Sequence, residues 1–288
     1  MKIGLVVAGG LSRGAAQIGF LKSFFKYIPR EDIEVMTSAS IGVLSAIAVS
    51  TNKIDTLAEL FTSYDFDNAK SLIQSLKHHL FFNIIDALID DTDEIQIPMY
   101  ITCSCLSNQT SQYFLMTKDT KKEDLVRFAN ISCTFPFLNG VLRRYNHKFY
   151  MDGGFYDCIP TYPLRFHNVD MIVIVHCASN YIPPADLIMS DIPVLDVHVT
   201  SKNHRDFKSF SFQNHNLKAM FKIGSELGEE VGQKLSKCQT KEEIKEMCQQ
   251  FIHEHVPFYQ QSHSFLSIVE LLNRIYHSRF PVKDDFYD

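Results

Sequence analysis

The first eight residues form an apolar run that leads directly into a glycine turn. Residues 3–8 lack the alternation of a half-exposed strand, which indicates a strand buried on both faces. Gly9 and Gly10 begin the turn, and residues 13–27 then carry apolar side chains at helical spacing. A doubly buried strand followed at once by a helix is typical of a parallel sheet covered by helices.

The same alternation of strand and helix continues along the chain. Strands are further predicted at 33–36, 97–105, 111–117, 147–151, 171–176 and 194–199, and helices at 41–49, 53–90, 122–130, 216–236, 240–252 and 263–277. We therefore expect a single α/β domain over residues 1–288, with a C-terminal helical region over about 213–288. The expected fold has three layers: a mostly parallel central sheet with helices on both faces.

The composition limits the classes of protein. A chain of 288 residues with 45% hydrophobic content can bury one sizeable core. The net charge of −5 and the lack of a long Lys/Arg run argue against a nucleic-acid partner. Seven irregularly spaced cysteines favour free thiols in a reducing compartment.

Membrane insertion is not expected from the sequence. The N-terminal apolar run is too short for a signal peptide, and no apolar stretch reaches the ~20 residues that span a bilayer. We therefore expect a soluble, cytoplasmic protein whose membrane contact would be peripheral. Residues 201–215 are predicted to form a loop, in which aromatic and basic side chains alternate. These aromatic residues fit either core filling or a lid that contacts lipid.

The glycine turn is the first candidate site and contains Gly9, Gly10, Leu11, Arg13 and Gly14. Glycines let backbone N–H groups approach a ligand, and the following helix adds positive potential. The spacing does not fit a dinucleotide motif, and the Gly-Lys-Ser/Thr of a Walker loop is absent. Two interpretations remain, an oxyanion hole and a tight turn that only packs well.

Ser40 is the second candidate, because it lies between a predicted strand and a buried helix. A nucleophile elbow requires this position, with small residues two places before and two places after the serine. Those residues are Ser38 and Gly42, whereas the usual elbow has glycine at both places. The alternative is that Ser40 only caps the following helix.

Asp152 is the third candidate. A predicted strand delivers it into a turn that begins with Gly153 and Gly154. A carboxylate fixed in this way can act as a general base if it lies within hydrogen-bond reach of Ser40. The alternative is an ordinary Asp-Gly turn.

Taken in order, the three motifs resemble the patatin-like phospholipase family. The helix start at residues 13–21, the small-residue segment 129–136 and the stretch 152–160 are also similar to that family. The resemblance covers roughly residues 3–176. It implies a lipid acyl hydrolase that acts on phospholipids or other lipid esters through an acyl-enzyme, without a metal or another cofactor.

The resemblance also implies the role of each residue. Ser40 would be the nucleophile and Asp152 the base, in a dyad that contains no histidine. The N–H groups of Gly9, Gly10 and Leu11 would form the oxyanion hole, and Arg13 would orient that loop.

Two positions depart from the family pattern. Leu11 replaces a third glycine of the loop, and Ser38 replaces the first glycine of the elbow. These departures motivate an alternative to the acyl hydrolase, a lipid-binding or regulatory protein that has kept the fold and lost turnover. A weaker alternative is a nucleotide-binding module that uses the glycine turn.

Several histidines follow Asp152 and could complete a Ser-His-Asp triad. They are His167, His176, His204 and His215. None lies in a supporting motif, so each is interpreted as a surface or core histidine. His253 and His255 are too close together for a helical metal site, and Cys103 and Cys105 are interpreted as buried hydrophobic side chains.

Overall fold

The structure is a computed structural model that describes residues 1–63, 80–134, 142–178, 181–200 and 212–259. The strands are β1 (Ile3–Val7), β2 (Ile33–Ala39), β3 (Met99–Cys105), β4 (Thr110–Met116), β5 (Arg143–Tyr145), β6 (Lys148–Asp152), β7 (Met171–His176) and β8 (Val194–His198). The α-helices are α1 (Gly14–Phe24), α2 (Gly42–Ser50), α3 (Ile54–Ser63), α4 (Leu80–Leu88), α5 (Lys122–Ser132), α6 (Ala185–Ile188), α7 (Asn214–Leu235) and α8 (Lys241–Tyr259).

One sheet contains all of these strands, in the order β5-β6-β3-β2-β1-β7-β8, with β4 paired to β3. The strands β3, β2, β1, β7 and β8 are parallel, while β4 and β6 run antiparallel to β3. The prediction of an α/β fold with a mostly parallel central sheet is confirmed. The carboxyl ends of β1, β2 and β7 share one edge, and the first two candidate motifs follow β1 and β2 there.

The hairpin of β5 and β6 was not predicted. Residue 147 was expected to start a strand, but Asn146 and His147 form the turn, with φ of 45° and 63°. Positive φ at both central residues is the requirement of a type I′ hairpin turn. The three-residue β5, at the end of the sheet order, is too short to produce a strand pattern in the sequence.

The two faces of the sheet are covered differently. The larger core lies between the sheet and the long helices, and it includes buried side chains of α1, α2 and α7. The opposite face carries a smaller cluster around Val6, Val35 and Ile174. In the described ranges, short helical segments contribute to that cluster, namely the 3-10 helix Tyr162–Phe166 and the region of α6.

Some predictions fall outside the described residues. They are the part of the 53–90 helix over 64–79, positions 135–136 of the small-residue segment, most of the 201–215 loop and the 263–277 helix. The predicted loop ends earlier than expected, because Asn214 already begins α7. Phe212 is described and is fully buried in the larger core. The single domain over 1–288 stays a prediction.

Candidate active site

Ser40 lies in the turn that joins the end of β2 to the start of α2. Its φ is 53°, in the left-handed region that costs a residue with a side chain roughly 1–2 kcal/mol. A strained strand-to-helix turn of this kind is typical of a nucleophile elbow. Ser40 is 7% exposed, and its N–H donates to Ser132 Oγ at 3.0 Å. A side chain of α5 therefore holds the strained turn.

Close packing around the turn explains why the neighbouring residues are small. A Cβ on Gly42 would lie 2.2 Å from the Val7 carbonyl oxygen, so α2 starts directly against the end of β1. Ser38 is fully buried, and its hydroxyl donates to the Tyr100 carbonyl at 3.1 Å. The departure from glycine at position 38 therefore leaves no unpaired hydroxyl.

Asp152 ends β6 and faces the serine. Ser40 Oγ donates to Asp152 Oδ2 at 2.7 Å, and the Gly154 N–H donates to Oδ1 at 2.8 Å. A Cβ on Gly153 would lie 2.1 Å from the Thr102 carbonyl oxygen, so only glycine fits there. The Ser40 hydroxyl is therefore bonded to a carboxylate rather than to the backbone of α2, and the interpretation of Ser40 as a helix cap does not fit the structure.

The two residues meet because both of their strands pair with the same edge of β3. The parallel strand β2 ends with Ala39 opposite Thr102. The antiparallel strand β6 ends with Asp152 opposite Cys103, the next residue of β3. The strands approach each other from opposite directions, so their ends become neighbours although Ser40 and Asp152 are 112 positions apart in sequence.

The surroundings of Asp152 alter its protonation. The residue is 4% exposed, and burial raises the pKa of its carboxyl to about 7, while the hydrogen bonds from Ser40 and Gly154 act in the lowering direction. Near neutral pH both protonation states of the carboxyl are therefore populated. A pKa close to the working pH is what a general base requires.

The glycine turn packs directly against the serine. A Cβ on Gly9 would lie 3.2 Å from Ser40 Cβ. The Gly9 N–H donates to the Cys158 carbonyl at 3.0 Å, so this donor is already engaged. In the described part of the chain, no acceptor is bonded to the N–H groups of Gly10 or Leu11. Of the three predicted oxyanion donors, these two are the ones that remain available.

Arg13 is buried next to this turn and is hydrogen-bonded to it. It is 3% exposed, and its Nη1 donates to the Cys177 carbonyl at 2.9 Å. Its own N–H donates to the Gly10 carbonyl at 3.1 Å, and Nε approaches the same oxygen at 3.5 Å. The side chain thus connects the glycine turn to the residue that follows β7. Gly14 begins α1 immediately after it.

Sequence reasoning gave no role to two residues that bond the elements of the site. Ser132 accepts the Ser40 N–H, and Gln17 Nε2 donates to the Ala8 carbonyl at 2.8 Å before the glycine turn. Gln17 and Ser132 belong to segments that resemble the family, which was the available signal. No local pattern indicates the long-range contacts themselves.

The described histidines lie away from the Ser40–Asp152 pair. Among the described histidines, none is hydrogen-bonded to Ser40 or Asp152. His167 Nε2 lies 3.1 Å from the Tyr100 hydroxyl, His176 lies beside Asp196, and His215 is on α7. His204 lies outside the described residues.

The described residues contain no group of three or more His, Cys, Asp or Glu side chains that could hold a metal ion. No helix in the same ranges is long and apolar enough to cross a membrane.

Fold and site together define a class, namely α/β proteins in which a serine on a strand-to-helix turn is bonded to a carboxylate at a neighbouring strand end. The model of one family, the patatin-like phospholipases, matches residues 5–165. This match spans more than half of the chain and all three motifs, and the protein belongs to the patatin-like phospholipase family. The family typically comprises lipid acyl hydrolases.

Other comparisons add little to this assignment. A search of curated proteins finds no match. The structure is similar to the crystal structure of VipD from Legionella pneumophila, with 10% sequence identity, a TM-score of 0.39, and coverage of 98% of this chain and 81% of that one. Likeness at this level has no bearing on activity.

Proposed function

We propose that this protein is a lipid acyl hydrolase in which Ser40 is the nucleophile and Asp152 the general base. The observation that carries the proposal is the 2.7 Å hydrogen bond from Ser40 Oγ to Asp152 Oδ2. It joins the proposed nucleophile to the proposed base, in a chain that belongs to a family of lipid acyl hydrolases.

The proposed reaction has two stages. As Ser40 Oγ attacks the ester carbonyl carbon, Asp152 takes the hydroxyl proton and later passes it to the leaving alcohol. This leaves an acyl-enzyme on Ser40. Water then attacks the acyl carbonyl and gives its proton to Asp152, which returns it to Ser40 Oγ as the fatty acid leaves.

The negative oxygen formed in each attack needs donors that are already in place. The proposed donors are the N–H groups of Gly10 and Leu11, since the Gly9 N–H is bonded to Cys158. Arg13 has a supporting role, because it bonds the Gly10 carbonyl and so orients this turn. Loss of one such donor typically lowers kcat by about 10²–10³-fold.

A fluorophosphonate probe tests the nucleophile directly. We expect the probe to label the wild type, and we expect short-chain ester and phospholipid hydrolysis to accompany labelling. Ser40→Ala should abolish both. The matched control is Ser236→Ala, an exposed serine that follows α7, which should change neither.

The same experiment separates the enzyme from its rival. A protein that only binds lipid would bind vesicles normally and show no Ser40-dependent hydrolysis at any chain length. Labelling that persists in Ser40→Ala would contradict the assignment of the nucleophile.

A further inference from the structure

A buried histidine–carboxylate pair lies behind the glycine turn, at the far side of Arg13. His176 is the last residue of β7, and Asp196 is on the neighbouring strand β8. His176 Nε2 lies 2.6 Å from Asp196 Oδ1. The two residues are 1% and 7% exposed. Burial of a polar pair of this kind costs free energy, which indicates a specific role for the pair.

The contacts of the ring determine where its proton lies. The Ala178 N–H donates to His176 Nδ1 at 3.1 Å, so Nδ1 is the acceptor nitrogen. The ring proton of the neutral form is then on Nε2, which faces the carboxylate of Asp196. The ring accepts a hydrogen bond at Nδ1 and lies against the Asp196 carboxylate at Nε2, and its Nδ1 bond connects the ends of the backbone turn that runs from position 176 to 178.

Cys177 occupies the middle of that turn and connects it to the catalytic edge. Its carbonyl accepts the 2.9 Å hydrogen bond from Arg13 Nη1, and Arg13 in turn bonds the Gly10 carbonyl. A continuous set of contacts thus runs from Asp196 through His176, Cys177 and Arg13 to Gly10. It ends at the Gly10 carbonyl, whose planar peptide group also carries the Leu11 N–H, one of the two donors proposed for the oxyanion.

The charges around the pair agree with this connection. Burial, with the nearby His176 and Arg13, lowers the pKa of His198 to about 3, so His198 is neutral beside them. Among the described residues, the Arg13 guanidinium donates to backbone carbonyls, those of Gly10 and Cys177. Its position is therefore set by the Cys177 turn and not by an ion pair.

We propose that His176 and Asp196 are positioning residues for the glycine turn, fixing the Cys177 carbonyl that orients Arg13 and through it Gly10. The inference rests on the proposed function and extends it to two residues that do not contact Ser40. The competing explanation is that the pair only stabilises the fold between β7 and β8.

Two substitutions of His176 separate the contacts of the ring. In His176→Asn the amide oxygen takes the place of Nδ1, keeps the Ala178 N–H bonded and loses the contact with Asp196. In His176→Gln the longer side chain reaches toward Asp196 and leaves the Ala178 N–H without its acceptor. Asp196→Asn tests the carboxylate, and Asp191→Asn is the control, because Asp191 is on the surface and pairs with Lys241 and Lys245.

The readout is kcat on a soluble ester, divided by the fraction of active sites that a fluorophosphonate titrates. We expect about a tenfold loss in His176→Gln and Asp196→Asn, a smaller loss in His176→Asn, and little change in KM, since small displacements of catalytic groups affect kcat strongly. Asp191→Asn should retain the wild-type kcat. Wild-type kcat per titrated site in all three variants would overturn the proposal, whatever their melting temperatures.

Amide hydrogen exchange keeps this proposal distinct from the proposed function. The Gly9 N–H is bonded to the Cys158 carbonyl and the Arg13 N–H to the Gly10 carbonyl, and we expect both to exchange faster in His176→Gln than in Asp191→Asn. If the wild type has no Ser40-dependent turnover, the proposed function fails and exchange alone decides the inference. Unchanged exchange at both amides would then overturn it.

Discussion

The serine–aspartate pair and the glycine turn are neighbours at one edge of the sheet, but they are held in different ways. Ser40 and Asp152 are positioned mainly by backbone, through two strands that pair with successive residues of β3. The glycine turn is oriented by the buried side chain of Arg13, which reaches across to the end of β7. The proposed nucleophile and base therefore depend on sheet register, whereas the proposed oxyanion donors depend on side-chain contacts.

Among the substitutions at the serine–aspartate pair, we expect the largest loss of activity from replacing the proposed base, Asp152. Asp152→Asn keeps the size of the side chain but cannot take the Ser40 proton, so we expect kcat to fall by about 10⁴-fold. Steady-state hydrolysis of a soluble ester measures the loss. Asp119→Asn, at the exposed turn after β4, is the control and should be silent. A loss of less than tenfold in Asp152→Asn would remove Asp152 from the proposed mechanism.

The pH dependence of activity and stability tests the protonation of Asp152. Because the pKa of Asp152 is raised to about 7, kcat/KM should fall tenfold for each pH unit below 7, and thus by about 10²-fold at pH 5. A carboxyl whose pKa is higher in the folded state contributes stability below pH 4 that is lost as the pH rises to about 7. Asp152→Asn should therefore unfold at higher urea than the wild type at pH 8, and at similar urea at pH 4. A variant that is less stable than the wild type at pH 8 would contradict this sign.

Substitutions of Arg13 test how the glycine turn is oriented. Arg13→Met removes the bonds to two carbonyls, and we expect kcat per titrated site to fall by about 10–100-fold with the dyad intact. Arg13→Lys keeps the charge but lacks the fork that reaches two acceptors, so it should resemble Arg13→Met. Arg127→Met, a substitution of a largely exposed arginine on α5, serves as the control. Full activity in Arg13→Lys would show that charge, and not bridging geometry, orients the turn.

Ser132 connects the turn of Ser40 to strand β3. Its hydroxyl accepts from the Ser40 N–H and donates to the Thr102 carbonyl at 2.6 Å. Ser132→Ala leaves both groups unpaired, which should reduce the free energy of unfolding by about 1–3 kcal/mol and kcat by about tenfold. The matched control is Ser45→Ala on α2, because the buried hydroxyl of Ser45 has no partner in the described part of the chain. If both variants behave alike in urea unfolding and hydrolysis, the Ser132 bonds have no role.

The smallest expected effect concerns Leu11. Its φ of 52° is strained for any residue with a side chain. Leu11→Gly should therefore be more stable than Leu11→Ala by about 1 kcal/mol, the reverse of the usual order. Both variants keep the backbone N–H, so kcat should stay within about threefold of the wild type. Equal stability of the two variants would show that no strain is relieved at this position.

The motifs that sequence analysis could identify are those with a local signature. The apolar run before Gly9, the small residues around Ser40 and the glycines after Asp152 each indicate a strand end, and together they indicated the family. Their meeting could be expected only from the resemblance. The antiparallel direction of β6, which delivers Asp152 from the opposite side, follows from pairing between distant parts of the chain.

The remaining features depend on which groups bond across the fold. The engagement of the Gly9 N–H by Cys158 joins positions 149 apart, and the bond between Ser40 and Ser132 joins positions 92 apart. A serine or a cysteine in a buried segment does not indicate such a partner by its own pattern. The contact between His176 and Asp196 had no motif at all, and the sequence therefore suggested only a core or surface histidine.

The meeting of β2 and β6 on β3 has a consequence for how such a protein can change during evolution. Ala39, which precedes Ser40, and Asp152 lie opposite successive residues of β3. The distance between Ser40 and Asp152 therefore does not depend on the length of the chain between them. Insertions and deletions in the exposed turns of that intervening stretch leave the pair in place, while a one-residue slip in β3 separates it. We therefore expect homologues to differ in length in those turns and not within β3.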